Sequence, residues 1–344
     1  MNATFSCGGT LDRGDAPFWM VYVADGEADP NLHELDLPHP GTGALEKLAN
    51  ACSLATFGNG KEDVLDLNYR RALKLDPACF VTNFALAEHD ILREVASVMM
   101  PSAAGIRAKL YKLNVHRKGD LFKAYVDTPT SSDMFGSLVV CLSSEHTGGA
   151  LRITQNGVSV KYDCGGKAAS NAVQWMAFYS DCEHEVEEVT SGYRITLTYN
   201  LYADSAPEAQ GSQPVTKLDT AAPALHTCLT EALQNPSFMP GGGALGFACQ
   251  HAYPHTDEGL ARNLAPLLKG ADAAVFATAA QLGLKPTLKA VWDTAKYNGP
   301  DWEDNWESEL ADEEEGQDAG DEDDRAAFIK AHVPAWGEGG RGDA

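Results

Sequence analysis

The segment GYRITLTYNLY at 192–202 contains residue types that can bind an anion. Apolar and polar residues alternate along it, which predicts a strand with one apolar and one polar face. The polar face carries Arg194, Thr196, Thr198 and Asn200. If this face lines a cavity, the guanidinium of Arg194 and the hydroxyl of Thr196 are placed to bind a carboxylate together. If it faces solvent, the alternation requires no further explanation.

Two other residues have the side chains found at non-haem iron sites. His184 precedes Arg194 by ten residues, in SDCEHEVEEV, and Asp127 ends the segment FKAYVD. A His and an Asp from separate strands, followed by a carboxylate-binding Arg, form the skeleton of an iron site that uses 2-oxoglutarate as co-substrate. Taken singly, Asp127 is equally well explained as a turn residue and His184 as a hydrogen-bonded structural residue.

The region that holds these residues is predicted to be all-β. Its segments are short, rich in Val, Ile, Thr and aromatic residues, and separated by Gly, Asn and Asp. They predict strands at 110–116, 122–126, 136–143, 150–155, 157–163, 172–179, 184–189 and 192–202. Asn156-Gly157 is typical of a hairpin turn. Eight short strands with no helix between them indicate an antiparallel sandwich or barrel.

Helical spacing of apolar residues occurs on both sides of this region. It predicts helices at 44–54, 67–75, 86–99, 221–234, 257–268 and 272–282. In 86–99, Ile91, Val95 and Val98 fall on one apolar stripe. We therefore expect an all-β core with flanking α-helices, α+β overall.

Four longer segments resemble a known family. They are LYKLNVHRKGDLFKAYVDTP, MFGSLVVCLSSEHTGGALRI, VQWMAFYSDCEHEVEEVTSGYRITLTYNLY and GFACQHAYPHT, and CGG (7–9) and ATFGNGKEDVLDLNYRRALKLD share the resemblance. All are similar to a group of fungal and algal proteins with a prolyl-4-hydroxylase-like iron(II)/2-oxoglutarate oxygenase domain. The similarity covers most of residues 5 to about 295.

The resemblance implies a fold, a site and a reaction. The fold would be a double-stranded β-helix, or jelly roll. His184 and Asp127 would be iron ligands, and Arg194 with Thr196 would anchor the far carboxylate of 2-oxoglutarate, with no catalytic residue beyond the metal ligands. The cofactors would be Fe(II) and 2-oxoglutarate, with ascorbate as a compatible reductant. The primary substrate would be a protein or a small molecule, which fold analogy does not specify.

The chain departs from the family pattern at the first iron ligand. The family pattern Tyr-x-x-Gly-x-x-Phe-x-x-His becomes HRKGDLFKAY here, from His116 to Tyr125, so His and Tyr have exchanged places. A hairpin centred between Asp120 and Leu121 would set these two residues opposite each other. Three alternatives follow: Tyr125 is the third ligand, His116 is the third ligand, or the chain is a catalytically inactive oxygenase-fold binding protein. A cupin-like metal enzyme is disfavoured, because it gives Arg194 and Thr196 no role.

Composition narrows the partners and the location. With 26 basic and 49 acidic residues the net charge is −23, which argues against binding to nucleic acid or to an anionic membrane. Eight scattered cysteines without a Cys-x-x-Cys pair are expected to be reduced. No segment predicts a signal peptide or a membrane span. We expect an intracellular protein, cytoplasmic or nuclear.

The charge is concentrated near the C-terminus. Residues 301–324 contain 14 acids and no base, which is typical of a disordered, solvated arm, with docking to a basic partner as the alternative. The expected organisation is an N-terminal helical region that packs on the barrel (1–102), the double-stranded β-helix oxygenase core (103–205), a C-terminal helical cover (206–300) and an acidic tail (301–344).

Overall fold

The computed structural model describes residues 5–14, 17–24, 31–59, 62–101, 103–127, 131, 133–166, 172–204, 222–253 and 264–289. The strands are β1 (Ser6–Asp12), β2 (Phe18–Tyr22), β3 (His33–Leu37), β4 (Ser53–Leu54), β5 (Phe57–Asn59), β6 (Glu62–Val64), β7 (Arg70–Arg71), β8 (Leu73–Leu75), β9 (Phe80–Thr82), β10 (Gly105–Arg117), β11 (Leu121–Val126), β12 (Met134–Cys141), β13 (His146–Gly148), β14 (Leu151–Gln155), β15 (Val158–Tyr162), β16 (Ala172–Tyr179), β17 (Glu183–Val186) and β18 (Val189–Asp204). The α-helices are α1 (Ala44–Ala51), α2 (Ile91–Met99), α3 (Ala222–Gln234) and α4 (Gly270–Gln281), and short 3₁₀ turns lie at Pro77–Cys79, Leu86–Glu88 and Ala265–Leu267.

Two antiparallel sheets form the centre of the fold. The larger has the order β1-β16-β12-β18-β10-β8-β4, with β13 also paired to β18, and the smaller has the order β15-β14-β17-β11-β7. Separate small sheets are formed by β3-β2-β9 and by β5-β6. Few helices accompany these strands, so the fold is α+β and mostly antiparallel, as the sequence predicts.

Alternation along the long strands gives the larger sheet two different faces. On β10 and β18, Leu113, Val115, Ile195 and Leu197 are fully buried in the apolar core, and burial of each such side chain contributes about 1.5–3 kcal/mol. Helix α2 packs against β1, β10 and β16. The residues between these apolar ones point towards the smaller sheet, and they include the polar series of β18.

The predicted strands from 110 to 202 all have counterparts, and β14 and β15 form the predicted hairpin around Asn156 and Gly157, which have φ of 50° and 77°. The predicted helix 44–54 ends at Ala51. Helix 86–99 is divided into a 3₁₀ turn and α2, and its buried stripe ends on Met99 while Val98 is 47% exposed, so the prediction for Val98 was wrong.

The predicted helix at 67–75 was wrong, because this segment forms β7 and β8. Strands β1 to β9 all lie before residue 103, so the region predicted to be helical also contributes strands to both large sheets. Helices α3 and α4 correspond to the predictions at 221–234 and 272–282. Most of 257–268 and all of 301–344 lie outside the described residues. None of the helices in the described part of the chain is long and apolar enough to cross a membrane.

Candidate functional site

A cavity of about 180 Å³ lies between the two large sheets. The larger sheet contributes β10, β12, β16 and β18 to its walls, and the smaller contributes β7, β11, β14 and β17. Thr56, Phe57 and Gly58, in and just before β5, complete it. The polar and charged lining residues are Arg70, Lys112, Asn114, His116, Asp127, Ser137, His184, Arg194, Thr196, Thr198 and Asn200. All four polar residues predicted to share one face of the strand at 192–202 therefore line this cavity.

Arg194 lies deep in the larger sheet. It is 2% exposed, makes no ion pair among the described residues, and its Nε has no hydrogen-bond partner there. Thr196, two positions along β18, is also buried and lines the cavity. A buried guanidinium without an anion carries a large desolvation cost, which a bound carboxylate would offset.

Gly149 makes room for this arginine, and sequence reasoning did not identify it as a site residue. Its φ is +70°, and an added Cβ would lie 2.8 Å from Arg194 Cδ and 2.8 Å from Val189 Cγ2. Any side chain at 149 would be strained and would displace Arg194. The one signal for it in the sequence is the pair Gly148-Gly149 just before a strand.

His184 and Asp127 meet on the smaller sheet. His184 Nε2 is 3.8 Å from Asp127 Oδ1, and the Ser137 hydroxyl donates to Asp127 Oδ2 at 2.9 Å. His184 Nδ1 is 3.4 Å from the Cys182 carbonyl oxygen. A carbonyl only accepts, so this contact is compatible with the tautomer that carries its proton on Nδ1, in which Nε2, on the Asp127 side, can coordinate a metal. That arrangement suits metal coordination.

Tyr125 lies beside this pair, since it is the residue of β11 opposite His184 on β17. The two ring centroids are 6.0 Å apart and nearly perpendicular. The Tyr125 hydroxyl donates to the Gly58 carbonyl oxygen at 2.8 Å. The side chain therefore closes the cavity against the β5 segment and already has a hydrogen-bond partner.

The expected pairing of His116 with Tyr125 was wrong. Strand β10 belongs to the larger sheet, where His116 pairs with Arg194 on β18. After Arg117 the chain enters the smaller sheet as β11, where Tyr125 pairs with His184. Both ring nitrogens of His116 are buried and have no hydrogen-bond partner in the described part of the chain. Burial, followed by the charges of Arg194 and Arg70, holds the pKa of His116 well below its ordinary value, so the ring is neutral.

Two neighbours of His116 were missed by the sequence reasoning. Arg70, on β7, is 7% exposed, and its guanidinium donates from Nη1 to the Thr56 carbonyl at 2.8 Å and from Nη2 to Asn114 Oδ1 at 3.2 Å. Asn114 in turn donates to Thr198 Oγ1 at 2.9 Å. Arg70 was missed because its segment was predicted to be a helix.

A second cavity, of about 360 Å³, shares Asp127 and Met134 with the first. Tyr253 and Lys269, from the C-terminal part of the chain, line its other side. The carboxylate of Asp127 thus stands between two cavities.

The His184–Asp127 pair is the candidate for metal binding in the first cavity. Nowhere among the described residues do three His, Cys, Asp or Glu side chains group closely enough to hold a metal ion. Tyr125, opposite His184, and Ser137, bonded to Asp127, are neighbours of this pair with hydroxyl oxygens.

Comparisons with known proteins found structural similarity only. No family model matches the chain, and no curated protein matches it. A prolyl-4-hydroxylase of Pseudomonas putida is similar at 17% identity over 40% of this chain and 76% of the other, with a TM-score of 0.28. A 2OG-Fe(II) oxygenase family oxidoreductase of Burkholderia pseudomallei is similar at 16% identity over 46% of this chain and 76% of the other, with a TM-score of 0.31. The viral collagen prolyl hydroxylase of Paramecium Bursaria Chlorella virus-1, solved with 2OG, is similar at 12% identity over 40% of this chain and 81% of the other, with a TM-score of 0.27. Values this low assign the chain to no family.

Proposed function

We propose that this protein is an Fe(II)/2-oxoglutarate-dependent oxygenase of the hydroxylase type, built on a double-stranded β-helix. The observation that carries the proposal is the buried guanidinium of Arg194, which makes no ion pair with any described residue, with Thr196 beside it, in the same cavity as the His184–Asp127 pair. A ligand that spans the two needs a carboxylate at one end and metal-chelating oxygens at the other. 2-Oxoglutarate has both.

The residues present fit the co-substrate well and the metal in part. The unpartnered Nε of Arg194 and the Thr196 hydroxyl suit the far carboxylate. Asp127 and His184 would hold the iron through a carboxylate oxygen and Nε2, with Tyr125 or His116 as the proposed third ligand. Bound iron(II) and 2-oxoglutarate supply oxidative decarboxylation of the co-substrate and oxygen insertion into a C–H bond.

The chain's own contribution is positioning and exclusion of water. Ser137 holds one oxygen of Asp127, which directs the other towards His184. The rings of Phe122, Tyr125 and Phe178 lie 4.8–6.0 Å from the His184 ring. These rings shield the metal-binding atoms from solvent and strengthen their electrostatic interactions.

The second candidate function is a catalytically inactive oxygenase-fold protein that binds a dicarboxylate. It is favoured by Tyr125, whose hydroxyl is already bonded to Gly58, and by the limit of two grouped ligands among the described residues. On this account Arg194 still binds an acid, but no co-substrate is turned over.

Titration of 2-oxoglutarate into the anaerobic protein tests the anchor. Arg194→Met should weaken binding by about 1.5–3 kcal/mol, because a charge-assisted pair is lost from a buried site. Arg71→Met is the matched control, since Arg71 is an exposed arginine one position from the cavity-lining Arg70. Equal affinity in wild type and Arg194→Met would refute the assignment.

A further inference from the structure

Arg70 is a second buried cation of the cavity for which the proposed function has no use. Its hydrogen bonds among the described residues go to neutral groups, the Thr56 carbonyl and the Asn114 side chain, and its guanidinium carbon lies 4.5 Å from the centre of the Phe122 ring. Its Nε is buried without a hydrogen-bond partner among the described residues, and it makes no ion pair there. Two hydrogen bonds use two of its five N–H donors, so the guanidinium is fixed in place and still has donors to offer.

The charges around the cavity do not balance. Arg70 and Arg194 are buried cationic lining residues, and Asp127 is the one acidic residue that lines the described walls. One carboxylate at Arg194 therefore leaves the second guanidinium unpaired. Because a buried charge without a partner is costly, a cavity lined by two buried guanidiniums favours the binding of a second anion.

We infer that Arg70 forms a second carboxylate subsite in this cavity, distinct from the one at Arg194. The occupant is the carboxylate of a further acid or the third carboxylate of a single tricarboxylic acid. Both sources share the planar oxyanion that a guanidinium binds through paired N–H donors. The inference deepens the proposed function by giving the cavity's ligand an additional acidic group, but binding at Arg70 itself requires no metal.

A pair of probes that differ by one carboxylate tests this inference. Glutarate carries two carboxylates, and tricarballylate is glutarate with a third on its central carbon. In the full-length, metal-free wild type, we expect tricarballylate to bind at least tenfold more tightly than glutarate by calorimetry. Acetate titrated into glutarate-saturated protein tests the other source, a separate acid.

Variants assign the effect to a residue. Arg70→Met should remove the preference for tricarballylate, or the acetate binding, and leave glutarate affinity unchanged. Arg71→Met, on the exposed side of the same strand, should change neither. Arg70→Lys replaces this test if the methionine variant does not fold. It keeps the charge without the planar guanidinium, so we expect its preference for tricarballylate over glutarate to lie between those of wild type and no preference.

The outcomes separate this inference from the proposed function. Equal binding of the two probes in wild type, together with no binding of acetate, would overturn the Arg70 subsite. A loss of glutarate affinity in Arg70→Met equal to that of tricarballylate would also overturn it, because Arg70 would then belong to the first site. If Arg194→Met leaves glutarate binding intact, the proposed 2-oxoglutarate anchor is refuted. The comparison of tricarballylate with glutarate in wild type and Arg70→Met still tests the Arg70 subsite.

Discussion

Tyr125 occupies the position where the family resemblance implies a histidine ligand for iron. Its hydroxyl is bonded to the Gly58 carbonyl, and its partner across the strands is His184. Opposite residues on neighbouring strands have Cβ atoms about 4.5–5.5 Å apart, so a histidine at 125 would bring a second imidazole beside the His184–Asp127 pair. The substitution thus decides between a weakened metal site and an inactive one.

Substitutions of Tyr125 should distinguish these states. Tyr125→His is expected to raise Fe(II) affinity and to start or increase 2-oxoglutarate decarboxylation, because it adds a nitrogen ligand next to the pair. Tyr125→Phe should leave metal affinity unchanged and cost about 0.5–1.5 kcal/mol of unfolding free energy through the lost hydrogen bond to Gly58. Anaerobic metal titration and denaturant unfolding measure the two effects.

The opposite pattern would establish Tyr125 as a ligand. Tyr125→Phe would then abolish metal binding and remove a ligand-to-metal charge-transfer band from the iron(III) form. His116→Ala serves as a control, since His116 pairs with Arg194 and belongs to no described group of three ligands. Loss of metal binding in that variant would instead make His116 the third ligand.

At the scale of the elements, strands that alternate strictly could be predicted and short strands between sheets could not. The polar series of β18 was predictable because polar residues occupy every second position of a strand long enough to cross the cavity. The segment at 67–75 has apolar residues at spacings that also suit a helix. Its strands exist because β7 pairs with β11 and β8 with β10, which are long-range contacts that a local pattern does not contain.

Strand β1 shows the same limit. Gly8 and Gly9 argue against a strand locally. In the fold they permit close packing, since a Cβ at Gly8 would lie 2.7 Å from the Tyr162 ring and 2.8 Å from the Trp175 carbonyl. The types of the site residues were thus readable from spacing, but the register that sets His116 against Arg194 and the presence of Arg70 depended on sheet pairing.

The segment around His251 and Lys269 is tied to the strand region by a network centred on Asp181. Asp181 accepts hydrogen bonds from His251 Nδ1 at 3.2 Å and from the Ala252 N–H at 2.9 Å, and Lys269 Nζ lies 3.6 Å away. Burial alone would raise the pKa of this carboxyl, but these partners lower it to about 2. Among the partners that lower the pKa of Asp181, His251 has the largest effect, followed by the charge of Lys269 and the Ala252 N–H, while burial lowers the pKa of Lys269 itself.

Asp181→Asn should therefore destabilise the protein at neutral pH, by roughly 2 kcal/mol given about 1.4 kcal/mol per unit of pKa shift. The folded pKa lies below the unfolded one, so this contribution is present above pH 4 and is lost as the pH falls towards 2. Denaturant unfolding at pH 7, 4 and 3 should show the difference between wild type and variant shrinking over this window. Asp76→Asn, at an exposed ion pair with Lys74, is the control and should have little effect at any of these pH values. A difference that stays constant with pH would contradict this account.

At the scale of the whole molecule, the division into four parts, the fungal and algal resemblance and the role of the acidic tail remain predictions. Deleting residues 301–344 should leave the thermal unfolding of the rest cooperative and its midpoint nearly unchanged, since 14 acids without a base in 301–324 repel one another and bury little. Loss of cooperative unfolding would mean that Trp302, Trp306 or Trp336 packs on the folded part.

The most direct test of the central claim is the joint measurement of bound iron and of succinate formed from 2-oxoglutarate by anaerobically purified protein after exposure to oxygen. We expect iron to bind and succinate to form in wild type. His184→Ala should lose the iron, and Arg194→Met should keep the iron but form at least tenfold less succinate at limiting 2-oxoglutarate. Wild type that binds no iron, or that forms no more succinate than His184→Ala, would contradict the oxygenase and favour the dicarboxylate-binding protein.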